Sequence, residues 1–212
     1  MTVAILADEQ LLQEFKSKGV PAGTEVIFTD SVRALTIAEA DVYIDLLFEP
    51  DAERTQHLKR LLPKPVLVNA VSYTTKEIGA NFIRINAWPG LLQRSVTELA
   101  LPAAISEAAI KEIFDQLQWK YVLTPDIPGM ITARVLATII NEAYHTLGAQ
   151  VSSREEIDIA MKLGTSYPYG PFEWSAKIGL QRVYELLIQL SSVDKRYMPA
   201  GLLKEEVEKL QR

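Results

Sequence analysis

The chemistry open to this chain is narrow, because it has two imidazoles, His57 and His145, and no cysteine. Without thiols there are no disulfides, thiolate metal sites or thiol nucleophiles, and two histidines do not make a metal centre. His57 lies in a charged stretch and His145 far along an apolar-striped helix, so both are expected to face solvent. Trp88 and Trp119 are expected to pack in the interior. Asp30 closes an apolar run, a position that suits a turn or cap carboxylate. Two turns are the strongest local signals: Asp126-Ile127-Pro128-Gly129-Met130 and Tyr167-Pro168-Tyr169-Gly170-Pro171-Phe172-Glu173.

These residues need a scaffold, and the first half supplies one by alternating short apolar runs with amphipathic stretches, the pattern of a parallel sheet built from βαβ units. Strands are expected at residues 3–6, 25–30, 42–48, 65–69, 81–85 and 120–123, with helices at 51–62 and 105–117. From Ile127 the period turns helical: Val135, Leu136, Ile139, Ile140, Ala143, Tyr144 and Leu147 recur at spacings of three and four. Ser153 and Glu156 form a capping box for a helix ending at Gly164. Pro171 opens another helix, and Leu180, Val183, Leu186, Leu187 and Leu190 stripe one more. The expected fold is α/β: a shortened Rossmann-like parallel sheet domain at 1–123, then an all-α domain at 124–212.

With 48% hydrophobic residues over 212, the chain can bury one or two ordinary cores. Its 22 basic and 27 acidic side chains give a net charge of −5, which argues against nucleic-acid and membrane-surface partners. No basic start leads into an apolar run, and no stretch approaches the ~18 apolar residues of a span, so a cytoplasmic protein is expected.

Four segments in fixed order carry a family likeness: Pro128-Gly129-Met130-Ile131-Thr132-Ala133-Arg134-Val135-Leu136, Asn141-Glu142-Ala143, Glu156-Ile157-Asp158-Ile159-Ala160-Met161-Lys162-Leu163-Gly164, and Tyr167 through Glu173. They resemble P-G-F-I-x-N-R-x-L, N-E-A, E-D-I-D-x-A-M-x-x-G and Y-P-x-G-P-F-E of the 3-hydroxyacyl-CoA dehydrogenases. The stretch 40–49 is similar to that family's A-D-L-V-I-E-A-V-F-E, and Val68-Asn69-Ala70-Val71-Ser72-Tyr73 to its A-S-N-T-S-S. The resemblance implies NAD-dependent oxidation of a 3-hydroxyacyl-CoA in fatty-acid metabolism. In that chemistry a histidine oriented by a glutamate takes the hydroxyl proton.

Carried over residue by residue, the likeness exposes departures. The family's G-x-G-x-x-G falls on Ala7, Glu9 and Leu12, so no glycine lets the backbone approach a pyrophosphate. Asp30 stands at the ribose-binding carboxylate, but the connection over 31–40 is far shorter than the family's CoA-contacting insertion. Ser72 matches a substrate-site serine, or caps a helix starting at Thr74. The catalytic histidine falls on Asn86, or on Ile85 with a one-residue shift; its orienting glutamate falls on Glu98 and the site asparagine on Ala133, beside a retained Arg134. The expectation is a dehydrogenase-like protein impaired in NAD binding and catalysis, with a binding or assembly role and no cofactor. The alternative is an active NAD-dependent enzyme using Ser72, Asn86 and Glu98. An acyl-CoA or other small molecule is the expected ligand. The apolar stripes at Val135, Ile139, Ala143 and Leu147 and at Val183, Leu187 and Leu190, with the family's habit of pairing through this domain, suggest a homodimer.

Overall fold

The computed structural model describes residues 1–211 and divides into two compact units, Met1–Met130 and Ile131–Arg212. In the first unit, β1 (Thr2–Leu6), α1 (Glu9–Lys18), β2 (Glu25–Thr29), α2 (Val32–Ile37), β3 (Val42–Asp45), α3 (Ala52–Lys59), β4 (Val66–Val68), α4 (Thr75–Ile78) and β5 (Ile83–Ile85) alternate as the apolar runs require. They are followed by β6 (Val96–Ala100), α5 (Glu107–Leu117) and β7 (Lys120–Leu123). The seven strands stand in the order β2-β1-β3-β4-β5-β6-β7, parallel throughout except where β5 meets β6. Side chains alternate across this sheet and feed two cores. Val3, Ile5, Ile44, Ile85 and Leu99 pack with Phe15 of α1 and Phe114 of α5 on one face. Ala4, Leu6, Tyr43, Val66 and Phe82 pack with Leu35 of α2 and Leu58 of α3 on the other.

Three expectations need correction. Residues 96–100 form a strand that the apolar pattern misses, because Thr97 and Glu98 interrupt it. Ser72 does not cap α4; Thr74 does, accepting from Glu77 N while the Glu77 carboxylate accepts from Thr74 N. The stretch 124–130 packs with the sheet unit, so the division falls later than the sequence suggests. What holds it there is Asp126, whose carboxylate accepts from Thr75 and Arg84.

The second unit holds α6 (Thr132–Gly148), α7 (Arg154–Thr165), α8 (Pro171–Ile178), α9 (Leu180–Ser191) and α10 (Gly201–Leu210). The buried face of α6 runs through Ala133, Leu136, Ala137, Ile140, Asn141, Ala143 and Tyr144. Val135 lies off it and is 48% exposed. Val183, Leu187 and Leu190 of α9 are buried within the unit, so that stripe is not a surplus face. No helix among the described residues is long and apolar enough to cross a membrane.

Candidate active site

The antiparallel register of β5 and β6 sets Arg84 opposite Ala100 and Ile85 opposite Leu99, so the next residue, Asn86, stands opposite Glu98. Asn86 N donates to Glu98 O at 3.1 Å, and its Nδ2 donates to Glu98 Oε2, also at 3.1 Å. Both side chains are buried. Asn86 Oδ1 is buried without a hydrogen-bond partner, an acceptor left open in the sheet face. Ile85, the other candidate for the histidine position, points into the core beside Leu99 and never meets Glu98. A carboxamide donates and accepts hydrogen bonds but takes no proton at physiological pH. The pair is therefore an oriented polar contact without a base of the imidazole kind.

Ser72 sits half-buried in the loop after β4, apart from that pair in chain but in a loop fastened at several points. Arg84 Nε donates to Ala70 O at 2.9 Å and its Nη2 to Val71 O at 3.0 Å. Gly129 N donates to Val71 O at 2.8 Å from the other side. Asn69 bridges the strand ends, donating to Leu46 O and Ala87 O and accepting from Ala87 N. The sequence carries one signal for the role of Arg84, a charge inside an apolar strand, since buried charges need partners.

The turn from β1 into α1 is where a dinucleotide would place its pyrophosphate. Here Asp8 caps α1 with its own carboxylate, accepting from Leu11 N at 2.8 Å, and exposed Glu9 follows in the first turn. The protein's own anions thus occupy the amide-rich helix end. Each carboxylate at ~4 Å from a phosphate would cost about 1–4 kcal/mol, depending on screening. Asp30 is exposed after β2, but the cap of α2 is Ser31, which accepts from Ala34 N. At the end of β3, buried Asp45 grips Arg54 through two contacts of 2.8 and 2.6 Å. Burial pushes the Asp45 carboxyl up, against the hydrogen bonds and charge of Arg54. At this strand edge the Asp45 carboxylate is thus committed to Arg54, and that of Asp8 to the first turn of α1.

In the second unit the signature residues of the sequence turn out to be scaffold. Asn141 donates to Met198 O at 2.9 Å and accepts from Ala200 N at 2.8 Å, closing the loop before α10. Asp158 accepts from Phe172 N at 2.8 Å and from Glu173 N at 3.2 Å, capping α8. A side chain at Gly170 would collide with Asp158, so the glycine of that turn is sterically required. Ala133 is wholly buried in the first turn of α6 and offers no polar group. His145 is exposed, and His57 is half-buried with Nε2 3.8 Å from Glu53. No cluster of His, Cys, Asp and Glu among the described residues could hold a metal.

The family model described as 3-hydroxyacyl-CoA dehydrogenase, C-terminal domain, matches residues 129–211. The 3-hydroxyadipyl-CoA dehydrogenase of Escherichia coli (strain K12) is 36% identical over 163 residues, covering 76% of this chain and 30% of that protein. The chain belongs to the 3-hydroxyacyl-CoA dehydrogenase family. A probable 3-hydroxybutyryl-CoA dehydrogenase of Bacillus subtilis (strain 168) is 28% identical over 184 residues, or 79% of this chain and 64% of that one. The chain thus spans less than two thirds of the length of these curated relatives. The crystal structure of (S)-3-hydroxybutyryl-CoA dehydrogenase from Ralstonia eutropha superposes with a TM-score of 0.74 at 22% identity, covering 98% of this chain and 93% of that one. That likeness establishes the fold.

Proposed function

We propose that this member of the 3-hydroxyacyl-CoA dehydrogenase family is impaired in NAD binding and catalysis and acts as a binding or assembly protein. The observation that carries this reading is the Asn86–Glu98 contact: the residue matched to the proton acceptor is a carboxamide hydrogen-bonded to the glutamate. The self-capped turn at Asp8 supports it independently, because it sets carboxylates where a pyrophosphate would bind. Loss of general-base help alone lowers turnover by about 10²–10⁴-fold. An acyl-CoA or a related small molecule is the ligand this reading expects, and the protein is cytoplasmic.

The second reading is a working NAD-dependent 3-hydroxyacyl-CoA dehydrogenase with an altered site, favoured by the retention of a buried carboxylate, Glu98, beside Asn86. NADH fluorescence titration of the full chain separates the two. The impaired reading expects no saturable binding up to about 1 mM, equivalent to less than ~4 kcal/mol. Saturation in the micromolar range establishes the enzyme instead.

A further inference from the structure

A cavity of about 590 Å³ opens in the first unit between the last residue of α3 and Leu62, the first turn of α4 with residues 79–81 after it, and residues 102–104 after β6. Asn81 leads into β5 and Pro102 follows β6, which runs antiparallel to it, so the cavity lies at the amino-terminal edge of β5. Asn86 and the β1–α1 turn lie at the opposite, carboxyl edge of their strands. Neither the candidate active site nor the Asp8 turn shares a residue with it.

The lining is two-sided. Leu62, Ala80, Pro102 and Ala104 give it an apolar floor, while Lys59 and Lys76 bring two ammonium groups and no carboxylate residue lines it. That is a local reversal of sign in a chain of net charge −5. Neighbouring Lys64 does not join them, since its Nζ donates to Ala40 O at 2.7 Å. The volume falls within the roughly 300–1,000 Å³ of small-molecule sites, which pair an apolar wall with a few charged groups that fix orientation. Two like charges beside a low-dielectric floor also focus a positive potential, which only an anion relieves.

We propose that this cavity binds a small organic dianion, with a body of about one ring's size on the apolar floor and its phosphate or carboxylate charges held by Lys59 and Lys76. The site is independent of whether the Asn86–Glu98 pair is active.

The test uses the full chain and three probes, phenyl phosphate, inorganic phosphate and benzyl alcohol, followed by amide chemical shifts. Phenyl phosphate is expected to saturate, moving the amides of Lys76, Gly79, Asn81 and Ala103. The double variant Lys59→Gln with Lys76→Gln should weaken it at least tenfold, as should salt near 1 M, where the screening length is about 3 Å. The exposed or half-buried lysines can be replaced without disturbing either core, and an unchanged spectrum elsewhere verifies this. No shift up to about 10 mM, equal affinity in the double variant, or equal binding of benzyl alcohol would overturn the proposal. Inorganic phosphate binding as tightly as phenyl phosphate would overturn the organic part, since the floor would then contribute nothing.

Discussion

Arg84 Nη1 donates to Asp126 Oδ1 at 2.5 Å, joining a guanidinium with no solvent exposure to a carboxylate that is 28% exposed. The other Arg84 nitrogens reach the carbonyls of Ala70, Val71 and Ile127, so one side chain fastens the Ser72 loop to the turn at 126–129. Desolvation lowers the Arg84 pKa, and the Asp126 charge offsets part of that shift. Removing one partner of a buried pair leaves the other charge uncompensated, at about 3–5 kcal/mol. Asp126→Ala is therefore expected to cost about 3 kcal/mol, the low end because Asp126 is partly solvated. Urea unfolding measures it, and a loss below about 1 kcal/mol would mean that water already shields Arg84.

The same carboxylate gives stability an acid limb. Burial raises the Asp126 pKa, but hydrogen bonds from Thr75 and Arg84 and the Arg84 charge outweigh it, so the folded value lies below the ordinary 3.8. The folded state then binds fewer protons than the unfolded one near that pH. Its contribution is complete above 3.8 and is lost as pH falls through the folded value. Asp126→Asn should flatten this limb relative to the parent protein. Identical limbs in denaturant melts at pH 5 and below would assign the acid sensitivity to other groups.

Lys18 works in the opposite sense, at the alkaline end. Its Nζ donates to Arg94 O at 2.6 Å and sits 4.9 Å from the Trp119 ring centre, and burial lowers its pKa from 10.5 to about 8. Between those values the unfolded chain binds the proton that the folded one has lost, so stability rises with pH across the interval. Below about 8 the desolvation penalty is fully present. Lys18→Gln should remove the rise, and melting temperatures between pH 7.5 and 10 read it directly. A parent protein whose stability is level over that range would contradict the lowered value.

Much of this was legible in the sequence, and the failures share a cause. The helical unit was readable because its signals are local: Ser153 and Glu156 cap α7 as their spacing requires, and Pro171 takes the first position of α8. Strand β6 was not, since Thr97 and Glu98 break its apolar pattern, and what buries Glu98 is Asn86, which stands opposite it only through a pairing between strands. Arg84 and Asp126 are likewise joined only by the fold, 42 residues apart in the chain. Ser72 lost the cap to Thr74 because the closer hydroxyl can reciprocate with Glu77. The site residues follow the same division, with Asn86 and Glu98 brought together and Ser72 located only by the loop that carries it.

Restoring the lost side chains, Asn86→His with Ala133→Asn, is expected not to restore oxidation of 3-hydroxybutyryl-CoA. Catalytic groups act only on reactants held in place, and Asp8 and Glu9 still occupy the helix end where the pyrophosphate would bind. The Ala133→Asn change would also put a carboxamide into a fully buried position, at about 1–3 kcal/mol if it finds no partner. Turnover of the order of 1 per second or faster in this variant, followed as NADH formation, would show that the first turn does admit the cofactor.

The last prediction concerns pairing of two chains through the helical unit. Val183, Leu187 and Leu190 are consumed inside that unit, so they cannot supply the interface. Exposed apolar side chains are spread over the unit, including Ile188, Val193, Met198 and Leu210, but one group lies at the start of α6 and along α7: Ile131 is 49% exposed, Val135 48%, Ile159 52% and Leu163 81%. Beside it, Ile139, Ala143, Val151, Ile157 and Met161 line a cavity of about 400 Å³. Exposed apolar groups at successive turns of two neighbouring helices are more than the scattered residues a monomer ordinarily shows, and a symmetric partner is the common way to cover them. Each such side chain stabilises by about 1.5–3 kcal/mol when fully covered, so a few suffice for micromolar association. Light scattering at micromolar concentration should therefore give twice the chain mass of 23.7 kDa, and Ile139→Glu should return it to that mass. Leu187→Glu should instead unfold the helical unit, because that side chain has no exposure at all. A parent protein that already elutes at 23.7 kDa would remove the homodimer, and an undiminished mass in the Ile139 variant would move its interface off this face.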